Sequence, residues 1–216
     1  WVCDAYPEES LEIDTKSLGR NALDVFKMVF DVVHSEVSVD EWVKREKTRQ
    51  QDKTINNRIG EFHQKLLGKV DGWTNLGIGH ESHVDLKKND NTVFIELKNK
   101  ENTTNSDSSA QVRKKLENIL KVYPKATAYW GFILTTKGSG ISSWTQRGQE
   151  ENPKLKRVWG SKVYELITGK KDSLEQTWKA IPKAIATIRK SDNKMSVSDQ
   201  QKLLMFFESS FGNRHP

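Results

Sequence analysis

Two acidic residues and one lysine have the types and the spacing of a hydrolytic metal site. Asp85 precedes a short polar connection, and Glu96 and Lys98 follow that connection in the segment Ile95-Glu96-Leu97-Lys98. Neighbouring carboxylates disfavour each other's charged form unless a cation lies between them, and Mg²⁺ prefers oxygen ligands of this kind. A lysine on the same strand face can position a water molecule for attack. The pattern therefore indicates hydrolysis of a phosphodiester bond.

A less specific explanation of these residues is a surface hairpin with alternating charges. A Glu-x-Lys sequence alone occurs often by chance. In this chain, however, a segment with helical spacing that carries Glu61 comes before the hairpin, and a helical and then an apolar segment come after it. This order of elements favours the metal site over the surface hairpin.

The three residues need a hairpin to bring them together, and the sequence predicts one. The segments with strand-like patterns are residues 73–78, 82–87 and 92–100. Asn89-Asp90-Asn91 is suited to a tight connection between the last two of them. Apolar side chains alternate with Glu96 and Lys98, so these two residues are expected on the same face of their strand.

Helices are expected before and after the hairpin. Apolar residues recur at helical spacing in residues 1–50, which predicts an N-terminal helical layer, and again in residues 54–67, where Gly68 can end the helix. Residues 110–122 predict another helix, and the apolar residues 126–135 predict a strand that is buried on both faces. Two strands joined by a helix imply a right-handed crossover in a mixed sheet.

The rest of the chain combines a glycine-containing segment with two further helices. Residues 136–157 contain glycines, a proline and several basic residues, and we expect a long connection there, either functional or disordered. Helices are predicted for residues 173–188 and 198–211, and Ser198 and Gln201 have the spacing of a capping box.

The composition is that of a basic globular protein. The 216 residues have a formal net charge of +6, although residues 1–14 contain five acidic residues and no Lys or Arg. A basic surface suggests a polyanionic partner such as nucleic acid, with a solvated basic surface as the alternative. The single Cys3 excludes a disulfide scaffold, and no apolar run is long enough to span a membrane. We therefore expect a soluble, cytoplasmic protein. Because the chain begins at Trp1, we also expect an initiator Met or a longer leader to precede it.

The hairpin residues resemble the motif of the PD-(D/E)XK nuclease superfamily. The common core of that superfamily is a helix, a three-stranded meander, a helix and a further strand, and the predicted order matches it. The proline of the motif is missing, because His83-Val84 precede Asp85, but this position varies within the superfamily. The resemblance implies an α/β fold that contains the PD-(D/E)XK nuclease core. Its mixed central β-sheet would be flanked by helices, with N- and C-terminal helical additions.

The resemblance also implies that the chain forms a single nuclease domain over residues 1–216. Within it we expect a helical N-terminal layer in residues 1–50 and a catalytic core in residues 51–135. Residues 136–216 would supply a DNA-contact loop and a C-terminal helical region.

A closer similarity is to a family of type II restriction endonucleases that cut GGNCC, and it covers roughly residues 49–170. The similar segments are Arg49-Gln50, Lys53-Thr54-Ile55-Asn56-Asn57, Ile59-Gly60-Glu61-Phe62-His63-Gln64, Glu96-Leu97-Lys98-Asn99-Lys100 followed by Asn102-Thr103, and residues 159–169. The similarity implies a Mg²⁺-dependent enzyme that hydrolyses double-stranded DNA at a specific sequence, with GGNCC as the candidate.

The family resemblance assigns roles to individual residues. Asp85 and Glu96 would bind the metal, and Lys98 would be the base that positions the water. Glu61 would be an outer or second metal contact, and Gln64, which follows it by one helical turn, would touch the same site or the DNA backbone. For Glu61 and Gln64, ordinary polar positions on a helix surface are an equally good explanation.

DNA contacts are expected in the segments that flank the metal site. The candidates at the end of the catalytic strand and after it are Asn99, Lys100, Asn102, Thr103 and Asn105. In residues 136–157, Lys137 and Arg147 are of the types that bind guanine in the major groove, and Trp144 would support the loop or meet DNA. The alternatives are a helix-capping loop for the first segment and a disordered connection for the second.

Two alternatives to a restriction endonuclease stay open. One is a repair nuclease or junction resolvase of the same superfamily, and the other is a basic, non-catalytic DNA-binding protein. A zinc site at His80 and His83 is disfavoured, because no Cys or second His pair lies nearby. For a restriction enzyme we expect a homodimer, which matches a two-fold symmetric DNA site, and a separate DNA methyltransferase as its cellular partner.

Overall fold

The computed structural model describes residues 2–6, 24–77, 84–101, 106–145, 151–190 and 195–211, and for residues 106 and 107 it describes the backbone only. The chain divides into two compact units, Trp1–Phe62 and His63–Pro216. Within the described residues, no helix is both long enough and apolar enough to cross a membrane. The described strands all lie in the second unit.

The described part of the first unit is helical. A short 3-10 turn spans Cys3–Ala5, and the first α-helix, α1, spans Val25–Ser35. The side chain of Asp24 caps α1 by accepting a hydrogen bond from the backbone N–H of Lys27 at 2.9 Å. The described residues before Glu36 are thus mainly helical, as the apolar spacing predicts.

The second helix, α2, is longer than the sequence predicts. It begins at Val39 and continues to Leu67, so the prediction of a separate helix from residue 54 is wrong at its N-terminal boundary. Residues 47–54 contain neither Gly nor Pro, and nothing in them stops a helix. Gly68 follows the last helical residue as expected; a Cβ atom there would lie 2.4 Å from the Cβ of Asn75, which leaves no room for a side chain.

A mixed sheet is the centre of the second unit. Its strands are β1 (Trp73–Asn75), β2 (Leu86–Lys88), β3 (Val93–Lys100), β4 (Thr127–Leu134), β5 (Gly140–Ser143) and β6 (Leu155–Trp159). Their order across the sheet is β1-β2-β3-β4-β6-β5. Neighbours among β1, β2 and β3 are antiparallel, β3, β4 and β6 are parallel, and β5 is antiparallel to β6. The predicted meander and mixed sheet are confirmed.

Helices cover both faces of the sheet. α3 (Ser106–Val122) connects β3 to the parallel strand β4, as the predicted crossover requires, and its apolar side chains pack on one face. The other face packs against the end of α2, α4 (Ser161–Thr168) and the start of α5 (Ser173–Arg189), with α6 (Val197–Phe211) at its margin. β4 lies between the two cores and is buried on both sides, as its apolar sequence predicts.

The prediction of a long connection in residues 136–157 is wrong, because this segment contains β5 and the beginning of β6. Only Leu155 and Val158 of β6 are fully buried, and polar side chains lie between them, so the strand has little of the apolar character that identifies a buried strand. β5 is an edge strand with mostly exposed side chains.

The last two helices were predicted close to their observed bounds, but the cap of α6 differs. Ser196, not Ser198, caps it: Ser196 Oγ accepts a hydrogen bond from the N–H of Asp199 at 3.0 Å and donates one to its carboxylate at 2.7 Å. Because α6 begins one residue before Ser198, that serine is already helical and cannot act as the cap.

Candidate active site

Asp85 lies immediately before β2, opposite the centre of β3. Its backbone N–H donates to the carbonyl of Ile95 at 3.2 Å, which extends the pairing of the two strands by one residue. Its carboxylate reaches across the hairpin, where Oδ2 accepts a hydrogen bond from the backbone N–H of Leu97 at 2.7 Å. The hairpin therefore fixes Asp85 beside the residue that separates Glu96 from Lys98.

Glu96 is the centre of the charged cluster. Its side chain is only 4% exposed, and its two oxygens accept hydrogen bonds from two different ammonium groups. Lys98 Nζ donates to Oε1 at 2.8 Å, and Lys115 Nζ donates to Oε2 at 2.8 Å. The predicted pairing of Glu96 with Lys98 on one strand face is present, and a second lysine completes the cluster.

The sequence analysis did not identify Lys115, although α3 contains a signal for it. The helix buries Val112, Leu116 and Ile119, and Lys115 lies three residues after Val112 and four before Ile119. Positions with this spacing share the face that packs on the sheet. A lysine among apolar residues on a buried helix face needs an acidic partner, and Glu96 is that partner.

The electrostatics of the site reflect two carboxylates that share a half-enclosed space. Burial raises the pKa of Asp85 to about 6, and the negative charge of Glu96 acts in the same direction. The hydrogen bond from Leu97 and the charges of Lys98 and Lys115 oppose this shift. For Lys98, burial lowers the pKa, but the charge and hydrogen bond of Glu96 and the charge of Asp85 outweigh burial and raise it. Lys98 is thus an ammonium group at neutral pH.

The donor set fits a small divalent cation. Among the described residues, Asp85 Oδ1 accepts no hydrogen bond. The raised pKa of Asp85 shows that burial and the charge of Glu96 disfavour its ionised form, and a cation beside Glu96 would stabilise that form. The described residues contain no cluster of three or more Asp, Glu, His or Cys side chains. Two carboxylates nevertheless suffice for Mg²⁺, which keeps several water ligands and commonly takes others from substrate phosphates.

Other predicted site residues are more scattered. Glu61 lies on α2. Gln64 Nε2 lies 3.5 Å from the carbonyl oxygen of Leu97, a weak contact beside the catalytic strand. Lys100 is exposed at the end of β3, whereas Asn99 alternates to the face opposite Lys98 and has a buried Oδ1 atom without a partner among the described residues. The candidates outside the described residues are Asn102, Thr103, Asn105 and Arg147, together with the disfavoured zinc ligands His80 and His83.

Lys137 lines a cavity of about 80 Å³ on the sheet face that carries Glu96. Its ammonium group pairs with Glu101 at 2.7 Å. Arg157, another lining residue, lies over the ring of Trp130 with its Cζ atom 4.9 Å from the ring centroid. Because Lys137 is paired with Glu101, its contact with DNA would require this ion pair to open. Trp144, by contrast, is buried, as expected for a residue that supports the segment rather than one that meets DNA.

The meander, the crossover helix and the following parallel strand have the order of the PD-(D/E)XK core, and Asp85, Glu96 and Lys98 occupy the motif positions of that core. The fold is consistent with one class of protein, the PD-(D/E)XK nucleases.

Comparison with known proteins narrows this class to one family. The model of the family described as Eco47II restriction endonuclease matches residues 2–190. The type II restriction enzyme Sau96I of Staphylococcus aureus is 34% identical over an alignment of 189 positions, which covers 82% of this chain and 72% of that enzyme. The type II restriction enzyme Eco47II of Escherichia coli is 32% identical over an alignment of 217 positions, which covers 91% of this chain and 87% of that enzyme. The chain belongs to the Eco47II restriction endonuclease family, and it is a type II site-specific deoxyribonuclease.

Proposed function

We propose that this enzyme hydrolyses phosphodiester bonds in double-stranded DNA in a reaction that depends on Mg²⁺, with GGNCC as its recognition sequence. The observation that carries the proposal is the convergence of Asp85 on the Glu96-Leu97-Lys98 strand through a 2.7 Å hydrogen bond. The metal dependence is supported by the donor set of Asp85 and Glu96. The recognition sequence is supported by the segments that resemble the GGNCC-cutting family.

Asp85 and Glu96 are the residues that would hold the cation. Bound Mg²⁺ would polarise the phosphoryl oxygen and offset the negative charge that develops on the phosphate during attack. Lys98 would use its ammonium group to orient the attacking water, because it is charged and lies next to Glu96. Its raised pKa argues against a proton-accepting role in the free protein; a base function would require Glu96 to turn away from it.

The proposal also gives Glu61 and Gln64 outer roles at the site. Both lie on α2, one helical turn apart, within a segment that resembles the GGNCC-cutting family. We assign Glu61 to an outer or second metal contact and Gln64 to the DNA backbone or the catalytic strand. A Glu61→Gln variant with a normal metal requirement and normal cleavage would remove Glu61 from the site.

DNA contacts are assigned to Gln64 on α2, to the end of β3 and to the segments that follow β3 and β4. The proposed DNA-contact residues are Gln64, Asn99, Lys100, Asn102, Thr103, Asn105, Lys137 and Arg147. Phosphate contacts from these segments would fix the register of the enzyme on DNA, and contacts to base edges would select the sequence. Asn99 has the least structural support, since it lies on the sheet face opposite Lys98.

We further propose that the enzyme acts as a homodimer. GGNCC reads the same on both strands, and two identical active sites related by a two-fold axis are the simplest way to cut both strands of such a site. The host DNA must then be protected by a separate methyltransferase. Enzyme, methyltransferase and substrate would share the cytoplasm.

A plasmid digestion tests the proposed reaction. Plasmids with and without a single GGNCC site are incubated with the protein and Mg²⁺, and the ends of the products are sequenced. We expect one symmetric double-strand cut in the plasmid with the site and none in the plasmid without it. When a chelator is added, neither plasmid should be cut. Cleavage at branched or damaged DNA alone would favour the repair nuclease or resolvase, and binding without any cleavage would favour the non-catalytic DNA-binding protein.

A further inference from the structure

The two lysines of the cluster occupy both oxygens of the buried carboxylate of Glu96. Lys98 reaches Oε1 from the same strand, and Lys115 reaches Oε2 from α3, each at 2.8 Å. The Lys115 side chain is 26% exposed, so it lies between the buried carboxylate and the solvent. A cation that approaches Glu96 must therefore compete with the two ammonium groups for these oxygens.

The charges of the free site are balanced among the described residues. Asp85 and Glu96 supply two negative charges, and Lys98 and Lys115 supply two positive charges. A divalent cation would leave this half-enclosed cluster with a net charge of about +2, and solvent screens such charges poorly when they are partly buried. The free site should consequently bind a divalent cation weakly.

A DNA phosphate changes this balance. It brings negative charge to the cluster and supplies oxygen ligands to a cation. It also offers a new acceptor to an ammonium group on a long, flexible side chain. Lys115 comes from α3, so it can leave Glu96 while Lys98, on the strand that carries Glu96, keeps its contact and its proposed role at the water.

We infer that Lys115 holds the Glu96 carboxylate in the free enzyme and transfers to a DNA phosphate when the substrate binds, so that occupancy of the metal site depends on DNA. The inference rests on the proposed Mg²⁺-dependent function. Its consequence is an enzyme whose metal site fills only when DNA is present. Lys115 thus has two partners: Glu96 before the substrate binds, and the phosphate afterwards.

Two neutral variants of Lys115 test this inference. Lys115→Met removes the charge and retains most of the length of the side chain, and Lys115→Gln keeps a hydrogen-bond donor for Glu96 in case the methionine variant does not fold. Lys115→Arg keeps the charge, and Lys114→Met removes one charge from the exposed neighbouring position on α3. Titration calorimetry with Mn²⁺ in the absence of DNA gives the metal affinity, and single-turnover digestion with Mg²⁺ gives the cleavage rate.

Removal of the Lys115 charge should make Mn²⁺ binding to the DNA-free protein tighter by about tenfold or more, a factor that corresponds to about 1.4 kcal/mol. The same variants should cleave more slowly than the wild type, while Lys115→Arg and Lys114→Met keep the weak metal binding of the wild type. Unchanged or weaker Mn²⁺ binding in both neutral variants would overturn the inference, as would wild-type cleavage by both. A wild-type protein that does not cleave with Mg²⁺ would instead overturn the proposed function, which separates the two failures.

Discussion

The carboxylate of Asp85 accepts a hydrogen bond of 2.7 Å from the backbone N–H of Leu97, the residue between Glu96 and Lys98. This bond ties the position of one proposed metal ligand to the strand that supplies the other. A slip of one residue in the pairing of β2 with β3 would turn Glu96 and Lys98 to the opposite face, so hairpin register and catalytic geometry are specified together.

The first prediction is that ionised Asp85 lowers the free energy of unfolding at neutral pH. Its pKa is raised from 3.8 to about 6, so the folded state favours the protonated form. Its contribution to stability is therefore fully present below pH 3.8 and is lost as the pH rises through about 6. At pH 7 to 8, Asp85→Asn should raise the free energy of unfolding by about 1–3 kcal/mol, and the difference should vanish near pH 4.

Urea unfolding at a series of pH values measures this difference. Asp90→Asn is a control with the opposite sign, because hydrogen bonds from the side chain and backbone of Thr92 lower the pKa of Asp90 to about 2. That variant should be less stable than the wild type at neutral pH. An Asp85→Asn protein whose stability equals that of the wild type at every pH would show that the site stores no such energy.

The second prediction concerns the half-buried His63 and the buried Tyr164, whose Nδ1 and hydroxyl oxygen are 2.8 Å apart. Burial lowers the pKa of His63 from 6.5 to about 4, so the folded state favours neutral imidazole. The stability that His63 contributes is present above pH 6.5 and is lost as the pH falls through about 4. The wild type should lose up to about 3 kcal/mol through this group, and His63→Gln should not. Denaturation curves at pH 7, 5.5 and 4 decide the matter: parallel losses in both proteins would exclude His63 as the source.

A third prediction compares two glycines with positive φ. Gly160, between β6 and α4, has φ +63, and a Cβ atom there would lie 2.3 Å from Ser139 Oγ and 2.5 Å from the carbonyl oxygen of Gly138. Gly169, after α4, has φ +72 and open space around it. Gly169→Ala should cost about 1–2 kcal/mol for the backbone conformation alone, and Gly160→Ala should cost clearly more. Thermal unfolding of the two variants measures both values, and equal losses would contradict the close packing at Gly160.

A fourth prediction is the dimeric state proposed for the enzyme on its DNA. Light scattering should give the mass of two chains on one duplex that contains a single GGNCC site, because each strand is cut by its own active site. A scrambled duplex of the same length is the control. A complex of one chain with one duplex that still cuts both strands would rule the dimer out.

The sequence predicts the hairpin of β2 and β3 well, because the residue patterns that specify it lie within the hairpin itself. Alternation along β3 places Glu96 and Lys98 on one face, and the polar connection at Asn89-Asp90-Asn91 sets the turn, in which Asn91 adopts a left-handed φ of 57°. The apolar run of β4 likewise identifies a strand that is buried on both faces. In each case the side chains alone carry the information.

Other features depend on tertiary contacts that local patterns do not contain. β6 has two buried apolar residues separated by two adjacent polar ones, and β5 is an exposed edge, so neither resembles a buried strand in sequence. Arg157 in β6 is stabilised by the rings of Trp130 and Trp144, which lie elsewhere in the chain. Lys115 is an intermediate case, because its place on the apolar face of α3 is local information, whereas its partner Glu96 is not.

The most direct test of the assigned site measures binding and cleavage in the same variants. Asp85→Asn and Lys98→Met should bind a duplex with the recognition site in Ca²⁺ as well as the wild type does, because both residues act on the phosphate and not on sequence readout. With Mg²⁺ they should cleave more slowly by about 10²- to 10⁴-fold, while the exposed-lysine control Lys114→Met cleaves at the wild-type rate. Wild-type cleavage by either site variant, with its fold intact, would contradict the assignment of Asp85, Glu96 and Lys98 as the catalytic centre.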